Sequence, residues 1–173
     1  GETIDYGPCG FMDAYDPATV FSSIDKFGRY AYFNQPRIAK WNLERFAETL
    51  LPLINNNNEI AIKLATEVLK EFPKKYKKSW MKMMKKKLGI VNDHSEDEAL
   101  ILELLSWMHS NKADYTNTFC HLMDELQIED DIYDQKSFLT WKKKWQTRIE
   151  LNNNSVEESF KIMGEENPLV IPR

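Results

Sequence analysis

The spacing of apolar residues changes at Pro36. Beyond it, Ala39, Leu43, Phe46, Ala47, Leu50 and Ile54 recur on one face at the 3.6-residue period, predicting a helix that Pro52 should kink or end. The run Asn55 to Asn58 reads as a turn, and Ile60, Leu64, Val68 and Phe72 mark a second helix. Phe72, Tyr76, Trp80, Met84 and Leu88 continue an i, i+4 stripe that Pro73 should interrupt and Gly89 should stop. Ser95 and Glu98 form a capping-box pattern ahead of Ile101, Leu104, Leu105 and Met108. Asp114 is placed to cap a helix carrying Phe119, Leu122, Met123 and Leu126. Phe138, Trp141, Trp145 and Ile149 mark another, and Ser155 with Glu158 repeats the capping box before a last short helix.

Residues 1–35 have a different texture, rich in Gly, Pro, Asp and aromatics with no sustained period. They predict an ordered loop with one short helical turn, capped by Asp16 with Pro17 at its first position. The sequence shows almost no alternating strand pattern and no internal repeat. The expected fold class is an all-α fragment: an irregular segment, 1–35, and a single helical region, 36–173. With few periodic apolar contacts, 1–35 should be the least ordered part, and 36–54 should be among the most buried. Both ends read as cuts: the chain opens on mid-domain sequence, and Asn167 to Arg173 caps nothing.

Composition narrows the class. Of 173 residues, 42% are hydrophobic, and five Trp, seven Tyr and nine Phe favour a packed core over disorder. A net charge of −4 gives no overall attraction to nucleic acid or an anionic membrane. No apolar run approaches the roughly 20 residues that span a bilayer, and no signal-like N-terminus is present. Cys9 and Cys120 lie far apart without metal-type spacing, which suits free thiols and a cytoplasmic protein.

Candidate chemistry concentrates at the start. Thr3-Ile4-Asp5-Tyr6-Gly7-Pro8 places an Asp after an apolar residue and before an aromatic and a Gly. In kinase-like folds such an Asp binds Mg²⁺ bridging the nucleotide phosphates, and Gly lets the backbone turn beside it. On its own the tripeptide is a weak signal, because Asp-Tyr-Gly is also ordinary turn chemistry. The Lys-rich stretch Lys74 to Lys87, with Tyr76, Trp80 and three Met, reads either as a phosphate-binding or calmodulin-target-like helix, or as a core helix with a solvated basic face. Its single apolar stripe favours the second, with nearby acidic stretches (Asp93 to Glu98, and Glu129 to Asp134) pairing weakly with it. Those stretches lack the Gly and closing Glu of a calcium loop. His109, Cys120 and His121 lack a fourth ligand and the tight spacing of a zinc site. Trp141 and Trp145, one turn apart, are most simply core.

The block Asp5-Tyr6-Gly7-Pro8-Cys9-Gly10-Phe11-Met12-Asp13-Ala14-Tyr15-Asp16-Pro17 resembles the signature of the selenoprotein O family. So do Gly28-Arg29-Tyr30-Ala31-Tyr32-Phe33-Asn34-Gln35-Pro36 and Trp41-Asn42-Leu43-Glu44-Arg45-Phe46-Ala47. The likeness is dense over residues 4–54. It returns at Asp114-Tyr115-Thr116 with Phe119, and at Asn167-Pro168 with Ile171-Pro172-Arg173.

The resemblance implies a protein-kinase-like fold that binds ATP in reversed orientation. Such proteins transfer AMP to Ser, Thr or Tyr hydroxyls of protein substrates, with Mg²⁺ or Mn²⁺. Residues 1–35 would hold the metal-binding motif and an activation-loop-like segment, and 36–173 the helical C-lobe-like region, with 36–54 its central helix. Asp5 would be the ligand of metal and, through it, of ATP. The glycine-rich loop, the Lys-Glu pair, the catalytic base and the metal-binding Asn would all precede this motif, so the fragment alone should be inactive. Some relatives pair a Cys of this loop with one near the far C-terminus. Here Phe21 stands at that loop position, and Cys9 lies elsewhere in the same loop. No nucleic-acid or membrane partner is implied, and self-association through exposed former core is expected. Two other readings use the same residues: a conventional kinase relative transferring the γ-phosphoryl group, and a non-enzymatic helical interaction module.

Overall fold

A computed structural model describes residues 12–123 and 131–167. Among these residues there is no strand, only an isolated antiparallel bridge between Ala14 and Asp114. A 3-10 turn (Tyr32–Asn34) leads into α1 (Gln35–Ile54), α2 (Asn58–Lys70), α3 (Phe72–Lys87), α4 (Asp97–Asn111) and α5 (Tyr115–His121). A second 3-10 turn (Asp131–Asp134) precedes α6 (Lys136–Glu150) and α7 (Val156–Glu166). No helix of the described residues is long and apolar enough to cross a membrane.

The chain divides into two compact units. Pro17–Ser79 belongs to the first, and Met12–Asp16 joins the residues from Trp80 onward in the second. In the first unit the loop before α1 is irregular yet hydrogen-bonded. The Asp25 carboxylate accepts from the amides of Arg29 and Tyr30, both at 2.8 Å. Gly28 turns with a positive φ of 62°, where a side chain would be strained. The Tyr32 and Phe33 amides donate back to the carbonyls of Thr19 and Pro17. Asp16 and Pro17 start no helix; the only short helical turn in the described part of the loop is at Tyr32–Asn34.

α1 packs against α2, whose start is capped by the Asn57 side chain accepting from the amides of Glu59 and Ile60. Pro52 lies inside α1, and the helix ends two residues later. The expectation that 36–54 is among the most buried segments is not met. Only Ile38 of α1 is buried, while Phe46 is 59% exposed and Leu53 83%. Two helices laid together bury only the strip between them. α1 carries apolar residues beyond that strip, and its main neighbours within the unit are α2 and the 3-10 turn. The stripe of α2 fares the same way, with Ile60, Leu64 and Val68 exposed and Ala61 buried.

The second unit holds the dense core. Trp141, Trp145, Phe138, Ile101, Leu104 and Met108 are buried where α4 meets α6. The indole rings of Trp141 and Trp145 stack at 6.3 Å, and each N–H donates at 2.9 Å to a backbone carbonyl, of Leu100 and Leu88. This satisfies the polar end of an otherwise apolar side chain. Glu71 separates α2 from α3, with Pro73 in the first turn of α3, as the proline spacing predicts. Gly89 ends α3 at φ +66°: its amide donates to Lys86 O and that of Ile90 to Lys85 O, the paired closure that favours glycine. Asp114 caps α5 by accepting from the Asn117 amide at 2.7 Å, and Ser155 with Glu158 forms the full capping box of α7. Ser95 does not cap α4. The helix starts at Asp97, whose carboxylate accepts from the His94 amide. The expected Leu126 of the α5 helix lies outside the described residues, and α5 closes at His121.

Candidate functional site

Met12–Asp16, the described end of the Asp5 block, is strapped onto the corner between α4 and α5. Lys112 ends α4 in the left-handed conformation, φ 52°, turning the chain so that Ala113 and Asp114 present their backbone sideways. The Tyr15 amide donates to Ala113 O and the Tyr115 amide to Asp13 O, both at 2.8 Å. Two such bonds contribute about 1 kcal/mol each, no more than ordering one or two residues costs. The remaining hold is aromatic. Tyr15, the one buried residue of the strap, stacks on Tyr115 at 5.6 Å and 26°. Tyr115 is itself fixed, edge-on to Phe119 at 5.3 Å, with its hydroxyl on Met84 Sδ and the Lys87 ammonium over its ring. At the end of the strap, Asp16 lies 3.6 Å from His109 of α4.

Below the strap, the last turn of α3 uses its lysines in three ways. Lys85 is buried and reaches Asp93 and, at 3.5 Å, Asp97. Lys86 pairs with Glu166. Lys87 lies against the Phe119 ring and donates to Asn167 Oδ1 at 3.1 Å, while Asn167 Nδ2 donates back to Lys87 O at 2.9 Å. Burial pushes Lys87 below the ordinary lysine range, against the opposing pull of Glu166. The solvated-face reading of the Lys-rich stretch therefore fits the span from Lys74 to Lys82, whose lysines are exposed. It fails for the last turn, where the lysines tie elements together.

Asp97 also receives Arg148 of α6, Nε on Oδ1 at 2.6 Å. Nη2 donates to Asp97 Oδ2 at 3.3 Å and to Asn92 O at 2.8 Å, and Nη1 to Asn92 and Asn152. The pairing of acidic and basic stretches expected from the sequence is present between Lys85 and Asp93. The Asp97 pair with Arg148, 51 residues away and outside the Lys-rich stretch, carried no local signal.

Asp5 and Cys9 lie outside the described residues, as do Glu129 and Asp130 of the second acidic stretch. Cys120 is a buried thiol outside any disulfide. The imagined zinc trio is dispersed in role: His109 faces Asp16, His121 stacks on Tyr133 at 4.1 Å, and Cys120 sits in the core. Among the described residues no group of three or more His, Cys, Asp or Glu could hold a metal ion.

The family model described as "Protein adenylyltransferase SelO" matches residues 1–173. A protein of Pelagibacter ubique named "Protein nucleotidyltransferase YdiU" is 56% identical over 173 residues, all of this chain and 36% of the relative. Proteins with the same name from Nitrosococcus oceani and Clostridium botulinum are 52% and 55% identical, covering 99% and 100% of this chain and 35% of each relative. The chain is thus similar to nucleotidyltransferases and spans about a third of their length. It belongs to the SelO family.

Proposed function

We propose that residues 1–173 are part of a protein adenylyltransferase, in which they form the helical C-lobe-like region of a protein-kinase-like fold and carry the Asp-Tyr-Gly motif. The observation that carries this reading is the family match over the whole chain, in which the Asp5-Tyr6-Gly7 block stands at the head. The helical character of the described residues is what such a lobe requires. In the reaction, a Ser, Thr or Tyr hydroxyl oxygen of a protein substrate attacks the α-phosphorus of ATP. The bond to the α–β bridging oxygen breaks, pyrophosphate leaves, and the hydroxyl proton passes to a base outside residues 1–173.

Mg²⁺ or Mn²⁺ would offset the phosphate charge. The described residues offer no cradle for it. It would be held by Asp5, by groups elsewhere in the polypeptide and by the nucleotide. Of the block that begins with Asp5, the described residues are Met12–Asp16, held on the α4–α5 corner. A cytoplasmic location and protein rather than nucleic-acid substrates go with this reading, in keeping with the net charge of −4 and two cysteines far apart.

The test is an Asp5→Ala substitution in the polypeptide at the length of its relatives, alongside the 173-residue chain alone. AMP transfer should be abolished in the first with the fold intact, and absent from the second. Near-normal turnover of Asp5→Ala with Mg²⁺ would reduce Asp5 to a turn residue. Transfer by the short chain would place the active site within it.

A further inference from the structure

We infer that Arg29, stacked on Trp41, is the centre of a docking surface for a protein partner that presents an acidic segment. The surface lies within the first unit and does not depend on Asp5 or on the transfer reaction. From Lys26 to Leu43 the chain carries four basic residues, Lys26, Arg29, Arg37 and Lys40, and no acidic one. Lys40 pairs with Glu44 at 3.1 Å. Lys26, Arg29 and Arg37 are exposed, and among the described residues they have no carboxylate partner. Asp25, the nearest acid in sequence, is committed to the backbone amides of Arg29 and Tyr30.

Arg29 differs from the other two cations in being held. Its backbone is fixed by the Asp25 carboxylate beside the Gly28 turn, and its guanidinium lies 4.6 Å from the centre of the Trp41 ring. Arg45 lies over the same ring at 5.5 Å, with its charge matched by Glu48 at 2.8 Å. Stacking occupies the face of a guanidinium and leaves its N–H edge, the fork that grips a carboxylate with two parallel bonds. A guanidinium already held on an indole loses less freedom on binding than a solvated lysine does. Arg and Trp are also the side chains that most often anchor protein interfaces. Charge selects the occupant. A long polyanion would also meet the acids that bring the whole chain to −4, whereas a short acidic segment needs only the local excess of positive charge.

The experiment titrates a labelled oligoglutamate peptide with the polypeptide at the length of its relatives and reads fluorescence anisotropy. Oligoserine, oligodeoxythymidylate and phosphatidylserine vesicles are the other arms. Wild type should bind oligoglutamate saturably and oligoserine not at all. Arg29→Ala should weaken binding about tenfold or more, the loss expected for charge-assisted hydrogen bonds. Arg29→Lys should recover only part of it, because the charge returns without the fork. Trp41→Leu should weaken binding with Arg29 still present. Lys143→Ala, the loss of one exposed charge on α6, should leave the affinity unchanged. Amide exchange at Tyr30 and along α1 reports whether the loop and helix persist; if Arg29→Ala loosens them, Arg29→Lys decides. Absence of saturable binding overturns the inference, as does wild-type affinity in Arg29→Ala or Arg29→Lys, or an equal loss in Lys143→Ala. Tighter binding of oligodeoxythymidylate or vesicles overturns the choice of an acidic protein segment. Self-association that Arg29→Ala abolishes, without peptide binding, overturns it in favour of a second copy of the chain.

Discussion

Arg148→Met should be among the most destabilising single changes in the second unit. Arg148 and Asp97 have side chains 6% and 3% exposed, so neither charge is solvated by water in the folded chain. Removing one member of such a pair strands the other and costs about 3–5 kcal/mol. Here Asp97 keeps the His94 amide at 2.9 Å and Lys85 at 3.5 Å, which places the loss near the lower end, about 3 kcal/mol. Asn92 and Asn152 lose guanidinium donors in the same step. For a chain of this size each kcal/mol lowers Tm by about 2–4 °C, giving a fall of about 6–12 °C. Urea melts followed by Trp fluorescence report the loss of stability, since Trp141 and Trp145 lie on the same helix as Arg148. The double variant Asp97→Leu/Arg148→Met separates pairing from packing. With both charges gone, its loss should be smaller than the sum of the single losses by about 1 kcal/mol or more. A single loss below about 1 kcal/mol, or strict additivity, would refute the view that this ion pair ties α6 to the start of α4.

Three further outcomes follow from the same contacts. Gly89→Ala should destabilise by more than about 1 kcal/mol, because its φ is +66° and a Cβ there would lie 2.9 Å from Ser159 O; denaturant titration checks this. Lys87 should titrate below the ordinary 10.5 because burial disfavours its charge. Between that lowered folded value and 10.5 the unfolded chain binds more protons, so the Lys87 contribution to stability rises with pH. Comparing wild type with Lys87→Met in urea at pH values through that window measures it, and a contribution that falls with rising pH contradicts the assignment. The 173-residue chain should self-associate with concentration through Ile24, Phe27, Phe33, Phe46, Leu53 and Val68, all exposed in the first unit. Sedimentation of the chain against Phe46→Glu and Leu53→Glu should show the association weakened.

The local grammar of the fold was legible in the sequence. Gly89, Asp114 and the Ser155–Glu158 box act through neighbours within four residues, so their residue types declare their roles. Phe138, Trp141, Trp145 and Ile149 were readable as a buried face because their helix packs along its whole stripe. Ser95 misled for the opposite reason: Asp97 two residues later is committed to Arg148 and Lys85, and the helix starts there. α1 shows that an apolar face states what a helix can bury, not what lies against it. The strap was invisible because Tyr15 and Tyr115 are 100 residues apart. Of the candidate site, Asp5 is an expectation from motif and family likeness and lies outside the described residues, while the stacking of Tyr15 on Tyr115 required the structure.

We propose that the polypeptide carrying this chain moves AMP, with Asp5 on the nucleotide. It is tested most directly by incubating that polypeptide, at the length of its relatives, with ATP labelled at either the α- or the γ-phosphate. Protein-bound label is expected from α-labelled ATP alone, and none from the Asp5→Asn variant. Label transferred from the γ-position, or α-label transfer undiminished by Asp5→Asn, would contradict it.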